Sequence, residues 1–220
     1  MKNIFLSASI PLPERHPKYY ETADIIAIRD AVIALTSIIL PKYRIIWGGH
    51  PSITPLIYYV IERTIINNLE REDRSIKLTK EEETVVDSEL KNKIQDHVKL
   101  YQSLFFKDKF PKDNNKFENI VFTENGGDIH SSVQLMREKM LSENDFAAAV
   151  FIGGMDGIEV EFKMFRKMHP NALLLPIAST GAATGIVYNE SLPREFKNER
   201  FVKDYGYMSL FQKYLIDKIQ

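Results

Sequence analysis

Apolar residues fall in short runs, and between the runs they recur every three or four positions, a pattern that predicts strands interleaved with helices. The runs predict strands over Asn3–Ser9, Tyr43–Trp47, Val98–Gln102, Asn119–Thr123, Ala147–Ile152 and Ala172–Pro176. The clearest helical period lies over Lys18–Leu40, where Ala23, Ile26, Ala27, Ala31, Ala34, Leu35 and Ile38 share a stripe. Further helices are predicted over Leu56–Asn67, His130–Leu141, Gly157–Met168 and Tyr205–Ile219. The Ala147–Ile152 run is continuous rather than alternating, as expected of a strand covered on both faces. Strands and helices in this order predict an α/β protein with a doubly wound, mostly parallel sheet of about six or seven strands and helices on both faces. Ligands of such folds bind beyond the carboxyl ends of the strands.

The boundaries carry the candidate chemistry. Gly153-Gly154 permits a sharp turn after the fifth strand, and Asp156 and Glu159 have the spacing of an N-cap and its capping-box partner. A strand, a glycine turn and a helix N-terminus together form an anion site. A second turn of this kind, Gly48-Gly49-His50, leads to Thr54 as a predicted N-cap with Pro55 at the first helical position. Asp128 is the predicted N-cap of the helix that opens near His130. The loops Ser7–Pro13, Gly48–Thr54, Gly126–Asp128, Gly153–Asp156 and Ser179–Gly185 are expected to converge on the carboxyl edge of the sheet.

Composition narrows the function classes. At 220 residues, 44% hydrophobic and 27% charged, the chain is expected to fold as one domain over 1–220, with a charged excursion at about 68–93. A net charge of -1 gives no global attraction to nucleic acid or to an acidic membrane, so neither is an expected partner. The absence of cysteine excludes disulfides, thiolate metal sites and a cysteine nucleophile. No apolar stretch approaches the length of a membrane span, no signal peptide precedes Ile4, and the expected location is the cytoplasm. The five histidines show no metal-ligand spacing, no Walker-type lysine follows either glycine turn, and neither metal nor cofactor is expected.

Several segments together resemble the SLOG superfamily of Rossmann-like domains. That group includes the cytokinin-activating phosphoribohydrolases called LOG proteins, the DNA-processing Smf proteins, and the STALD sensor domains of Thoeris antiphage systems. Ile4-Phe-Leu-Ser-Ala-Ser9, the tyrosine-containing helix after it, and Ile46-Trp-Gly-Gly-His50 are similar to the first strand, helix and glycine loop of LOG proteins. Arg137 precedes Gly153 by sixteen residues, similar to the family's spacing between its active-site arginine and its proline-glycine-glycine loop. Gly153-Gly154-Met-Asp-Gly157-Ile-Glu-Val-Glu161 resembles the Pro-Gly-Gly-x-Gly-Thr-x-x-Glu signature with one residue inserted. Ile152 stands where the family has proline and Ile158 where it has threonine, and the insertion leaves Glu159 and Glu161 both open as the motif glutamate.

The resemblance implies a nucleotide cleft lined by Ser7, Ser9, Gly48, Gly49, His50, Gly126, Arg137, Gly153, Gly154, Met155, Asp156, Gly157, Glu161, Thr180 and Gly181. Its STALD-like character implies a sensor of an ADP-ribose-derived or cyclic ADP-ribose-like signal in antiphage defence, coupled to an effector domain or protein. The alternative is an enzyme that cleaves N-glycosidic bonds with Glu161 and Arg137 as catalytic residues, acting on a nucleoside monophosphate or an NAD-like substrate. Each residue also has a plainer reading. Arg137 can pair with Glu138 or Glu143, Glu159 can be a capping residue, and His50 can be an ordinary loop residue.

Apolar residues lie on more than one face of the predicted helices at 18–40 and 54–67, Ile25, Ile28, Val32 and Ile33 among them. Such faces need cover, and two-fold self-association is its commonest source. A homodimer, or a tetramer of dimers, is expected through these helices, and light scattering at micromolar concentration should return a multiple of the 25.5 kDa chain mass. A monomer mass would show that the chain covers these faces itself.

Overall fold

The computed structural model describes residues 1–40, 42–72, 92 and 95–219. Strands β1 (Asn3–Ser9), β2 (Arg44–Trp47), β3 (Val98–Ser103), β4 (Ile120–Thr123), β5 (Phe146–Gly153) and β6 (Leu173–Ile177) form a six-stranded sheet in the order β4-β3-β2-β1-β5-β6. Every pairing is parallel. From β1 the sheet grows one way through β2, β3 and β4 and the other way through β5 and β6, so the order reverses between β1 and β5. A crevice opens at such a reversal because successive crossovers leave the sheet on opposite faces. Ser9 pairs with Gly153 there, at the carboxyl end of both strands.

The helices are α1 (Pro17–Tyr20), α2 (Ile25–Ile39), α3 (Thr54–Glu72), α4 (Ile129–Ser142), α5 (Asp156–Met168), α6 (Ala182–Ile186), α7 (Arg200–Lys203) and α8 (Tyr207–Phe211). The last continues through a π segment, Gln212–Ile216, into Asp217–Ile219. Helices α4 and α5 pack together on one face, while α2 packs against α3 and α8 on the other. Beneath α5 lies an aromatic cluster. The Phe5 ring stacks on Phe165 at 5.4 Å, and Phe151 meets Phe162 edge-on at 5.2 Å. Phe5 and Phe165 are fully buried, so β1 and α5 are locked in register by their largest side chains.

Two expectations need correction. The helix expected over Lys18–Leu40 is two, because Asp24 caps α2 by accepting from Ala27 N at 2.9 Å while its own N–H donates to the Thr180 carbonyl at 3.2 Å. A long-range backbone bond at the cap diverts the chain, and helical periodicity does not register it. Thr54 does not cap α3. It is the helix's first residue, and its hydroxyl accepts from the Trp47 indole at 3.2 Å. The charged excursion expected at 68–93 is helical as far as Glu72, and most of the rest lies outside the described residues.

The cover that α2 needs comes largely from within the chain. Ile28 and Val32 are fully buried, whereas Ile25 and Ile26 stay exposed beside a C-terminal helix whose Met208 is also exposed. The self-association expected from this helix therefore rests on those few residues and not on its whole circumference.

Removing the Phe165 ring would leave a hole between Phe5 and Phe151, so Phe165→Ala should lower unfolding free energy by about 3–5 kcal/mol. Denaturant titration measures this, and a loss below about 1 kcal/mol would mean that α5 is not clamped to the sheet through this ring.

Candidate functional site

Two glycines set the geometry at the strand-order reversal. Gly153 and Gly154 have φ of +60° and +80°, a region that residues with a Cβ rarely enter. Their N–H groups are not free for a ligand, contrary to the expectation for this turn. Gly153 N donates to Thr180 Oγ1 at 2.9 Å and Gly154 N donates to the Ser9 carbonyl at 2.8 Å. Thr180 is correspondingly occupied, since its hydroxyl also donates to the Ile177 carbonyl at 2.6 Å. Thr180 and the two glycines thus build the edge rather than present groups to it, and Gly181 packs against the Thr22 carbonyl.

The open donors lie one step further on. Helix α5 begins at Asp156 with Met155 at the N-cap position and no side-chain cap. The expected capping box is not formed. Asp156 sits inside the helix with its side chain 65% exposed and 3.3 Å from His16 Nε2, and Glu159 accepts instead from the Tyr19 hydroxyl at 2.6 Å. Burial, and then this hydrogen bond, hold the Tyr19 phenol above its ordinary pKa, so it stays a donor. Among the described residues nothing accepts from the N–H groups of Met155, Asp156 or Gly157, which remain at the positive end of the helix.

Arg137 reaches this point from α4, whose N-cap is Asp128 as expected, accepting from Ser131 N at 3.0 Å. Arg137 Nε donates to Glu161 Oε1 at 2.9 Å, and Ser7 Oγ donates to Glu161 Oε2 at 2.5 Å. The Arg137 and Glu161 side chains are only 13% and 16% exposed, so the pair is shielded from solvent screening. Of the two acids left open by the motif, the structure therefore brings Glu161, not Glu159, to the arginine. The guanidinium Nη groups carry no protein acceptor among the described residues, and one of them lies over Gly157. A Cβ built on Gly157 would stand 2.7 Å from Arg137 Nη2, so glycine there makes room for the guanidinium beside the open N–H groups.

The second glycine loop lies two strands' width from β5, across β1. His50 Nδ1 accepts from Ser52 N at 3.2 Å and lies 2.8 Å from Ser52 Oγ, which itself accepts from Ile10 N at 3.2 Å. This chain ties the loop after β2 to the loop after β1. Burial, with the charge of Arg15 nearby, lowers the His50 pKa to about 4, so the ring is neutral with its proton on Nε2. No sequence signal singled out Arg15 or Ser52. Ser9 is 7% exposed and follows Ser7 on the same face of β1. Gly126 is the outlier among the expected site residues. It follows the edge strand β4, donates its N–H to Ser132 Oγ at 2.9 Å, and is solvent-exposed, remote from the reversal point.

A parallel α/β sheet flanked by helices defines a Rossmann-like protein, and its strand-order reversal brings together unbonded helix N–H groups, a guanidinium and a carboxylate. The chain belongs to the SLOG cluster3 family, whose profile matches residues 18–78 and 83–215. No curated protein matches it. No helix among the described residues is long and apolar enough to cross a membrane.

Folded His50 takes up its proton near pH 4, whereas an unfolded histidine does so near 6.5. Between those values the unfolded chain binds more protons, so stability falls as pH drops from about 6.5 to about 4. This contribution amounts to about 2–3 kcal/mol. His50→Gln should remove it, narrowing the difference between denaturant midpoints measured near pH 7 and near pH 4.5. An unchanged difference would show that His50 is not held neutral.

Proposed function

We propose that this protein binds a phosphorylated nucleotide across the carboxyl edge of its sheet, with a phosphate on the N–H groups of Met155, Asp156 and Gly157. The ligand is an ADP-ribose-derived or cyclic ADP-ribose-like signal, and the protein acts as its sensor in bacterial antiphage defence, passing the signal to an effector domain or protein. Membership of the SLOG family supports a nucleotide ligand. The observation that carries the reading is the position of Arg137, whose Nε is committed to Glu161 while its Nη groups stay open over Gly157. A guanidinium held this way gives charge-assisted bonds to phosphate without first being ordered. Gly48, Gly49 and His50 supply a second set of backbone donors toward the ribose or a further phosphate.

Binding rather than hydrolysis is favoured by the state of Glu161. Each of its oxygens already accepts a hydrogen bond, one from Ser7 and one from Arg137, so the carboxylate is held by the protein and keeps only one lone-pair direction on each oxygen for a water. Ile158 also stands where the signature has a threonine hydroxyl. The second reading, an N-glycoside hydrolase using Glu161 and Arg137, draws on the same carboxylate beside the same crevice.

Calorimetry with ADP-ribose should detect binding, and Arg137→Ala should weaken it by about 1.5–3 kcal/mol, with a lowered melting temperature as well, because the shielded Glu161 carboxylate loses its partner. Undiminished affinity would remove Arg137 from the site. Chromatography after incubation with NAD and with AMP should show no free base, and release at catalytic turnover would establish the hydrolase reading instead.

A further inference from the structure

Gln102 lies near the end of β3, two strands from β1 along the same carboxyl edge, and is 6% exposed. Its Oε1 accepts from Asn114 Nδ2 at 3.2 Å. The same oxygen lies so close to Gly49 that a Cβ built on that glycine would stand 2.0 Å away from it. The amide is thereby clamped between the loop after β2 and the turn that holds Asn114. Its other end is free. Gln102 Nε2 meets no acceptor among the described residues, yet it is not among the buried side-chain atoms left without a partner, so it reaches solvent. A nearly buried side chain whose orientation is fixed and whose amide N–H groups face outward is suited to recognition, since ordering it costs little when a ligand arrives.

Its position sets what it can touch. Adjacent strands are about 4.8 Å apart, so Gln102 lies roughly 14 Å along the edge from the end of β5, where the open N–H groups of α5 begin. A phosphoribosyl unit alone is too short for that span, and a nucleotide carrying its base covers it. We propose that Gln102 selects the base end of the ligand, donating from Nε2 to a ring nitrogen or carbonyl of a nucleobase, in the way that amide side chains pair with purine edges. This inference rests on the nucleotide-binding reading above and adds which residue distinguishes the base.

The test uses the full chain with two probes, ADP-ribose and ribose 5-phosphate, and two variants. Gln102→Leu removes the donor, and Gln102→Glu keeps an oxygen for Asn114 while replacing the donor with an acceptor. Both should weaken ADP-ribose binding about tenfold or more and leave ribose 5-phosphate affinity within about twofold. Thermal melts identify folded protein, and if the leucine variant does not fold the glutamate variant decides. Unchanged ADP-ribose affinity overturns the proposal. Equal losses for both probes overturn it too, because Gln102 would then only support the Gly49 loop. If the wild type binds ADP-ribose no more tightly than ribose 5-phosphate, there is no base subsite, although the anion site stands. Binding of neither probe by the wild type removes the nucleotide reading together with this one.

Discussion

Gly153 donates its N–H to Thr180 and Gly154 donates to the Ser9 carbonyl, so the ends of β1 and β5 and the loop after β6 are fastened together where the strand order reverses. Only a backbone at positive φ on two successive residues can turn so tightly there. Because these two donors are consumed in the turn, the chain enters α5 with its next three N–H groups uncommitted. The unbonded donors are thus displaced from the glycines to Met155, Asp156 and Gly157, and the glycines set their direction. Thr184, donating to the Gly153 carbonyl at 2.9 Å, holds the turn from its other side.

Around that turn the charged groups are ordered rather than strongly stabilising. A shielded ion pair such as Arg137–Glu161 recovers little more than the cost of removing both charges from water, so it is weak evidence for stability. Its effect is positional. It fixes the guanidinium between α4 and α5, and the hydroxyl of Ser7 fixes the carboxylate to the central strand. Asp156 and Glu159 also place negative charge in the first turn of α5, where the helix dipole favours it. The unbonded N–H groups and Arg137 therefore share the start of α5 with the exposed Asp156 carboxylate.

The fold was legible because each of its elements is local. The continuous run before Gly153 marks a strand covered on both faces, and the alternation of such runs with helical stripes marks parallel winding. The Asp128 cap was legible for the same reason, since a capping residue and its acceptor geometry span only a few positions. Arg137 and Glu161 could be placed in the site through the resemblance to a known signature, but their spacing alone left Glu159 equally eligible.

What decided between the two acids was a bond to a residue more than a hundred positions away. Tyr19 takes Glu159, and Ser7 with Arg137 takes Glu161, and no local pattern records either choice. The break between α1 and α2 is set in the same manner by the Thr180 carbonyl, and the loss of Thr180 and the two glycines as ligand donors follows from their bonds to one another. Periodicity and capping report on the energy of a segment taken by itself, so the sequence by itself determined the winding of the sheet and the loops that meet at its edge. Which polar groups at that edge are satisfied and which are left free depends on partners brought together only when the sheet closes, and that was decided by the tertiary structure.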